Sequence, residues 1–237
     1  MAPNALTDPD FEQVSQYLQT QTVFALTPAA QYRELARAVH RLTHSLILWR
    51  FRLADLPTYG QVFVEELASD ALQILPQVLL GYDKPFRLLT RGVIENVLRH
   101  IYFTDHPIEF LKMNTHPKWY LQVEELFTYA AEHPALSPLE KKFPALHKLR
   151  DLYTDLSAGV HGRRVQDFQM KIALEKLAFD AGAARKQEEI LNKTVQSVNA
   201  LLAAFHAAQF HRFGSADRSF ILRTIPASGR AALSQIE

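Results

Sequence analysis

Apolar positions along most of this chain recur every three or four residues, the spacing that gathers them on one face of an α-helix. Asp8-Pro9-Asp10 reads as a cap, and Phe11, Val14 and Leu18 follow at helical spacing. Thr27-Pro28 is a second start signal, with proline at the first helical position. It leads into the apolar stripe Tyr32, Leu35, Val39, Leu42, Leu46 and Trp49, whose opposite face carries Arg33, Arg37 and Arg41. Leu56-Pro57-Thr58-Tyr59-Gly60 ends that helix. Residues 62–80 are apolar nearly all round, which predicts a buried central helix kinked at Pro76. Gly81 to Pro85 is a turn, and a helix follows over about residues 86–103.

Prolines then punctuate the chain at positions 107, 117, 134, 138 and 144. Short helices and loops are expected there, one helix covering about residues 119–131. Another helix is expected over about 145–160. A last long one runs from about Leu174 to Phe213 with a break near Gly182. Past Gly214 the sequence turns polar and aperiodic. Glycine is scarce and few runs alternate β-branched residues, so sheet is hard to place. The expectation is an all-α fold: a single bundle of about five to seven helices over residues 1–213, with 214–237 a loosely ordered C-terminal tail.

Composition narrows the chemistry. At 237 residues the chain suits one domain, and 48% hydrophobic with 22% charged residues is the balance of a globular protein. The formal net charge is +1, so any affinity for phosphate must come from a local cluster. There is no cysteine, which excludes disulfides, thiolate metal sites and cysteine nucleophiles and points to a cytoplasmic protein. The first residues lack the basic start and apolar core of a secretory signal, and the apolar runs are too short to span a bilayer. No metal site or cofactor is expected. HExxH is absent, and so are the phosphate-cradling and dinucleotide glycine motifs. His100 and His106 are not at ligand spacing on one helix face, and Ser157 has no G-x-S-x-G elbow.

Two segments carry concentrated chemistry. In Arg91 to His100, Arg91, Glu95 and Arg99 fall at i, i+4 and i+8, within about an 80° arc of helix. They form either a solvated ion-paired face, worth about 0.3–0.5 kcal/mol per pair, or the charged lining of a cleft in which the arginines meet an anion. In Tyr153 to Arg164, Tyr153, Ser157 and His161 repeat that spacing. Gly159 and Gly162 let another chain or a ligand come close, and Arg163 and Arg164 follow. His161 there is either a helix-terminal partner of backbone carbonyls or a proton-transfer group suited to neutral pH.

At these residues the sequence resembles the HEPN superfamily. These are compact α-helical bundles found in toxins, antiviral abortive-infection proteins and CRISPR-associated ribonucleases. More narrowly it resembles a bacterial branch that pairs an Arg-x-x-x-Glu helix with a later Leu-Ser-x-x-Val-His segment. Here those are Arg91 to Tyr102 and Tyr153 to Gly162. The resemblance implies a metal-independent endoribonuclease acting in stress response or phage defence, commonly a homodimer whose two copies face a shared cleft. Many active members place an arginine four to six residues before the histidine. No arginine stands there before His161, so the helix of Arg91 to Arg99 must supply the charge. Arg99 and His106 have that spacing, but His106 lies next to Pro107 at a helix end.

The expected roles follow. His161, Arg99 and Glu95 are the candidate catalytic residues. Arg91, Tyr153, Ser157, Arg163 and Arg164 are the candidate substrate contacts, with Tyr153 stacking on a base. RNA or a nucleotide is the expected ligand. The alternative is a non-catalytic helical module, antitoxin-like or a defence-complex subunit, docking on an operon-encoded protein partner. Separation of the two charged segments on opposite faces of the bundle would rule out the composite site.

Overall fold

The computed structural model of the chain describes residues 11–13, 16, 29–162 and 179–235. The caps expected at residues 8–10 and 27–28, Val14 and Leu18, the start of the last long helix near Leu174, and Arg163 and Arg164 lie outside the described residues.

Every regular element among the described residues is helical. In chain order they are α1 (Ala29–Arg52), α2 (Thr58–Leu79), α3 (Asp83–Asp105), α4 (Pro107–Thr115), α5 (Val123–Glu132), α6 (Ser137–Lys142), α7 (Ala145–His161), α8 (Ala181–Phe205), α9 (Ala207–Phe210), α10 (Ser215–Thr224) and α11 (Ala227–Leu233). These eleven, with the helical residues 11–13 and 16 ahead of them, exceed the five to seven expected. Five of them, α1, α2, α3, α7 and α8, run 17 to 25 residues and make the bundle. The excess comes from the proline-punctuated middle, where α4 and α6 start at or next to a proline, and from the C-terminal residues.

The residues expected to be a loose tail form two helices on the bundle. α10 buries Phe220, Ile221 and Thr224, and α11 buries Gly229 and Ala232. Arg52 of α1 pairs with Asp217 of α10 through both Nε and Nη2. Asn199 of α8 donates to the Thr224 hydroxyl at 2.8 Å. Few apolar residues suffice here because each is driven into an existing core rather than building a new one.

The most enclosed helix is α3, not the one over residues 62–80. From Thr90 to Phe103 no residue of α3 is exposed, whereas α2 turns Glu65, Glu66, Ser69, Leu72 and Gln73 to solvent. α3 packs on α2, α7, α5, α4 and α8. α8 in turn touches α1, α7 and the C-terminal helices, so α3 and α8 are the two axes of the fold. α2 and α3 are joined by a tight reversal. Tyr82 N–H reaches the Gln77 carbonyl, Gly81 N–H reaches the Val78 carbonyl, and Gly81 takes φ 74°. This pair of bonds is the Schellman closure, which needs a left-handed residue and so favours glycine. The break expected near Gly182 is a helix start: Asp180 Oδ1 accepts from Gly182 N at 2.7 Å and Ala183 N at 3.1 Å.

Candidate functional site

α3 carries charged side chains at five positions spaced four residues apart: Asp83, Arg87, Arg91, Glu95 and Arg99. That spacing lines them along one stripe of the helix. α7 packs beside α3 and brings Tyr153 and His161 to the middle of the stripe.

Arg91 is the meeting point. Its Nη2 donates to Glu95 Oε1 at 3.0 Å and to the Tyr153 hydroxyl oxygen at 2.9 Å. Tyr153 donates to the same Glu95 oxygen at 2.9 Å, which closes a triangle of three side chains. The Arg91 guanidinium carbon stands 4.9 Å from the centre of the Tyr153 ring. Its Nη1 lies 3.3 Å from His161 Nε2. Arginine has only donors, so Nε2 accepts and the neutral ring carries its proton on Nδ1. His161 is the last residue of α7 and is exposed. A neutral imidazole lone pair therefore lies against a guanidinium at the open edge of the two helices.

Arg99 extends the network. It donates to Glu95 Oε2 and to Asn96 Oδ1, each at 3.3 Å, and Asn96 Nδ2 donates to Asp70 Oδ2 of α2 at 3.2 Å. The Arg91 and Glu95 side chains are 16% and 20% exposed, against 37% for Arg99. The inner pair is thus partly shielded, while Arg99 retains access to water. Burial works against the Arg91 charge, but the bonds to Glu95 and Tyr153 outweigh it and hold its pKa above the ordinary arginine value. Burial raises the Tyr153 phenol, and the Glu95 carboxylate raises it further. Asp70 is pushed up to about 6 by burial first and by Glu66 next.

Of the residues singled out from sequence, Arg91, Glu95, Arg99, Tyr153 and His161 come together. Ser157 sits among them in sequence but is buried, and its Oγ is shielded and without a hydrogen-bond partner among the described residues. It is not positioned as the expected substrate contact. Gly159 does not hold space open. A Cβ on Gly159 would stand 2.6 Å from Arg87 Nη1 and 2.9 Å from its Cδ, so that gap is filled by α3 itself. Gly162 closes α7 in the left-handed region, with φ 58° and ψ 50°, and its amide bonds the Ala158 carbonyl at 3.0 Å.

Arg87 and Asp83 are the members that reading the sequence did not single out. The signal was present, since both continue the four-residue ladder upstream of Arg91. Arg87 Nε is paired with Asp83 Oδ2, and Asp83 Oδ1 accepts from Gln187 of α8 at 3.1 Å. Asp70 was hidden for a different reason: its contact with α3 crosses the gap left by Gly92, whose missing side chain the Asp70 carboxylate occupies.

A second histidine site lies in the core. His100 Nδ1 is 2.8 Å from the Gly60 carbonyl and its Nε2 is 2.7 Å from His206 Nε2. The carbonyl only accepts, so His100 donates from Nδ1 and accepts from His206 at Nε2. Burial lowers His100 to about 4 and His206 to about 3. Among the described residues no group of three or more His, Asp or Glu is arranged to hold a metal ion, and no helix is long and apolar enough to cross a membrane. Comparison of the chain with family models, curated proteins and solved structures gave no significant match.

Proposed function

We propose that the Arg91–His161 edge binds a phosphodiester and that the protein is a HEPN-like, metal-independent endoribonuclease. The observation that carries this reading is the 3.3 Å approach of Arg91 Nη1 to His161 Nε2, with the Arg99 side chain half-buried on the same stripe. An RNA phosphate entering this edge would take the outward guanidinium N–H groups, and Arg99 would share its charge. His161 Nε2 would then be free to take the 2′-hydroxyl proton. The 2′-oxygen attacks phosphorus, the bond to the 5′-oxygen breaks, and the imidazolium returns the proton to that leaving oxygen. The products are a 2′,3′-cyclic phosphate and a 5′-hydroxyl. Glu95 and Tyr153 orient Arg91 rather than react.

Incubation of purified protein with a 5′-labelled single-stranded RNA in EDTA tests this directly. Cleavage leaving cyclic phosphate ends is expected. His161→Ala should slow it about 10²–10⁴-fold, the usual range for loss of a general acid–base group. Intact RNA under all conditions, or equal rates for wild type and His161→Ala, would refute the enzyme reading.

A second reading rests on a different observation. No residue of α4 is buried, and its Ile108 and Leu111 are 64% and 61% exposed, with Tyr120 at 76%. These favour a non-catalytic module that docks on a second copy or on another protein. Loss of cellular effect in Ile108→Ser or Leu111→Ser, with His161→Ala unaffected, would support that reading over the first.

A further inference from the structure

Two connectors, one from α1 to α2 and one from α9 to α10, flank an open groove of about 390 Å³. The first brings Leu53, Asp55 and Leu56, with Arg52 from the last position of α1. The second brings Arg212 and Phe213, with Gln209 from α9. Both connectors are hydrogen-bonded turns. Leu53 N–H reaches the Trp49 carbonyl at 2.9 Å, and Leu56 N–H the Leu53 carbonyl at 3.1 Å. Arg212 N–H reaches the Gln209 carbonyl at 2.9 Å, and Phe213 N–H the Phe210 carbonyl at 3.1 Å. Leu53 and Phe213 are buried members of the core around Trp49, whose ring centre lies 5.0 Å from that of Phe213. The apolar side of the groove is therefore fixed before any ligand arrives.

The charges around this groove select a particular kind of ligand. Arg52 is compensated, since it bonds Asp217 through both Nε and Nη2. Asp55 and Arg212 are not. Among the described residues neither side chain has an ion-pair or hydrogen-bond partner, and they do not pair with each other. One carboxylate and one guanidinium thus face a common space with an apolar floor of Leu53, Leu56 and Phe213. The Gln209 amide adds a donor and an acceptor at the same rim. A simple anion would match Arg212 and meet Asp55 with the wrong sign, and a simple cation would do the reverse. A molecule that carries both signs beside an apolar group satisfies every wall at once.

We propose that this groove binds a small apolar zwitterion, an α-amino acid or a dipeptide with aliphatic side chains. The ligand carboxylate takes the Arg212 N–H groups, its ammonium sits on Asp55, and its side chain lies on Leu53, Leu56 and Phe213. The site does not depend on the ribonuclease reading, because it shares no residue with the Arg91–His161 edge.

The full-length protein should be titrated by calorimetry with L-leucine and with leucyl-leucine, then with N-acetyl-leucine and leucinamide, which lack the ammonium and the carboxylate in turn. The variants are Asp55→Asn and Arg212→Gln. Both side chains are exposed and bond nothing in the described fold, so an unchanged melting temperature is expected for each. Leucine, leucyl-leucine or both should bind. Blocking either end of the ligand, or making either substitution, should weaken binding about tenfold or more, the scale of one charge-assisted hydrogen bond. Binding of leucine alone identifies a free amino-acid site, and binding of leucyl-leucine alone a peptide site; either supports the proposal. No binding of both at millimolar concentration overturns it. Equal affinity for the blocked analogues, or affinity indifferent to either substitution, overturns it as well.

Discussion

At the scale of single residues, the contact between Gly159 and Arg87 decides how α7 seats on α3. Alanine in the middle of a helix is ordinarily favoured over glycine by about 1 kcal/mol. Here the added methyl would press on Arg87 along its stem and its guanidinium, at 2.6 to 2.9 Å. Overpacking of that kind costs about 1–3 kcal/mol, so the penalty outweighs the gain in propensity. Gly159→Ala should therefore lower the melting temperature, and Arg87→Ala in the same chain should restore part of it. A rise in melting temperature for Gly159→Ala alone would show that Arg87 yields freely and does not set the approach of the helices. The example also shows what sequence could and could not reveal. Three members of the charge ladder, Arg91, Glu95 and Arg99, were read from spacing alone, as was the meeting of Arg91, Glu95 and Tyr153 as a possibility. Which glycine faces which arginine was not, because that pairing depends on how two distant helices are rotated against each other.

At the scale of elements, two of the long helices were legible almost to their ends, while the one expected to run to Phe213 ends at Phe205 and resumes as the four-residue α9. Residues 86–103 and 145–160 were expected and Asp83–Asp105 and Ala145–His161 are found. Long stripes of apolar residues report their period strongly, and packing adds only a few residues at each terminus. The C-terminal helices were not legible. α10 spans only 10 residues, too few turns for a period to stand out, and what holds it lies elsewhere in the chain. Its Ile221 is fully buried, and Ile225 just beyond it is 1% exposed. Ile221→Ala should then destabilise the whole bundle by about 2–5 kcal/mol, the cost of emptying a core site. Chemical denaturation would measure it. A loosely held tail would show almost no change, so the size of the loss separates the two accounts without reference to any function.

At the scale of the molecule, the buried His100–His206 pair links the start of α2, the last turns of α3 and the C-cap of α8, and it gives the fold a predictable response to acid. His100 titrates near 4 and His206 near 3 in the folded chain, against 6.5 for an ordinary histidine. Between pH 6.5 and those values the unfolded chain binds protons that the folded chain refuses, so stability falls as pH falls through this window. Each histidine contributes a slope of at most about 1.4 kcal/mol per pH unit. Asp105 is the acidic group that favours a charge on His100, but burial dominates it. Asp70 acts in the opposite sense. Its folded pKa of about 6 exceeds the ordinary 3.8, so the folded chain keeps a proton that the unfolded chain has released. Its contribution therefore grows as pH falls from about 6 to 3.8 and offsets part of the histidine loss. Asp70→Asn keeps an acceptor for Asn96 and removes that offset. Unfolding free energies measured from pH 7.5 down to 4.5 should decline for the wild type and decline more steeply for Asp70→Asn. A flat profile in the wild type would mean that the histidines meet water before the bundle opens. Equal slopes in the two proteins would remove Asp70 from the balance and leave its place beside Gly92 a matter of packing alone.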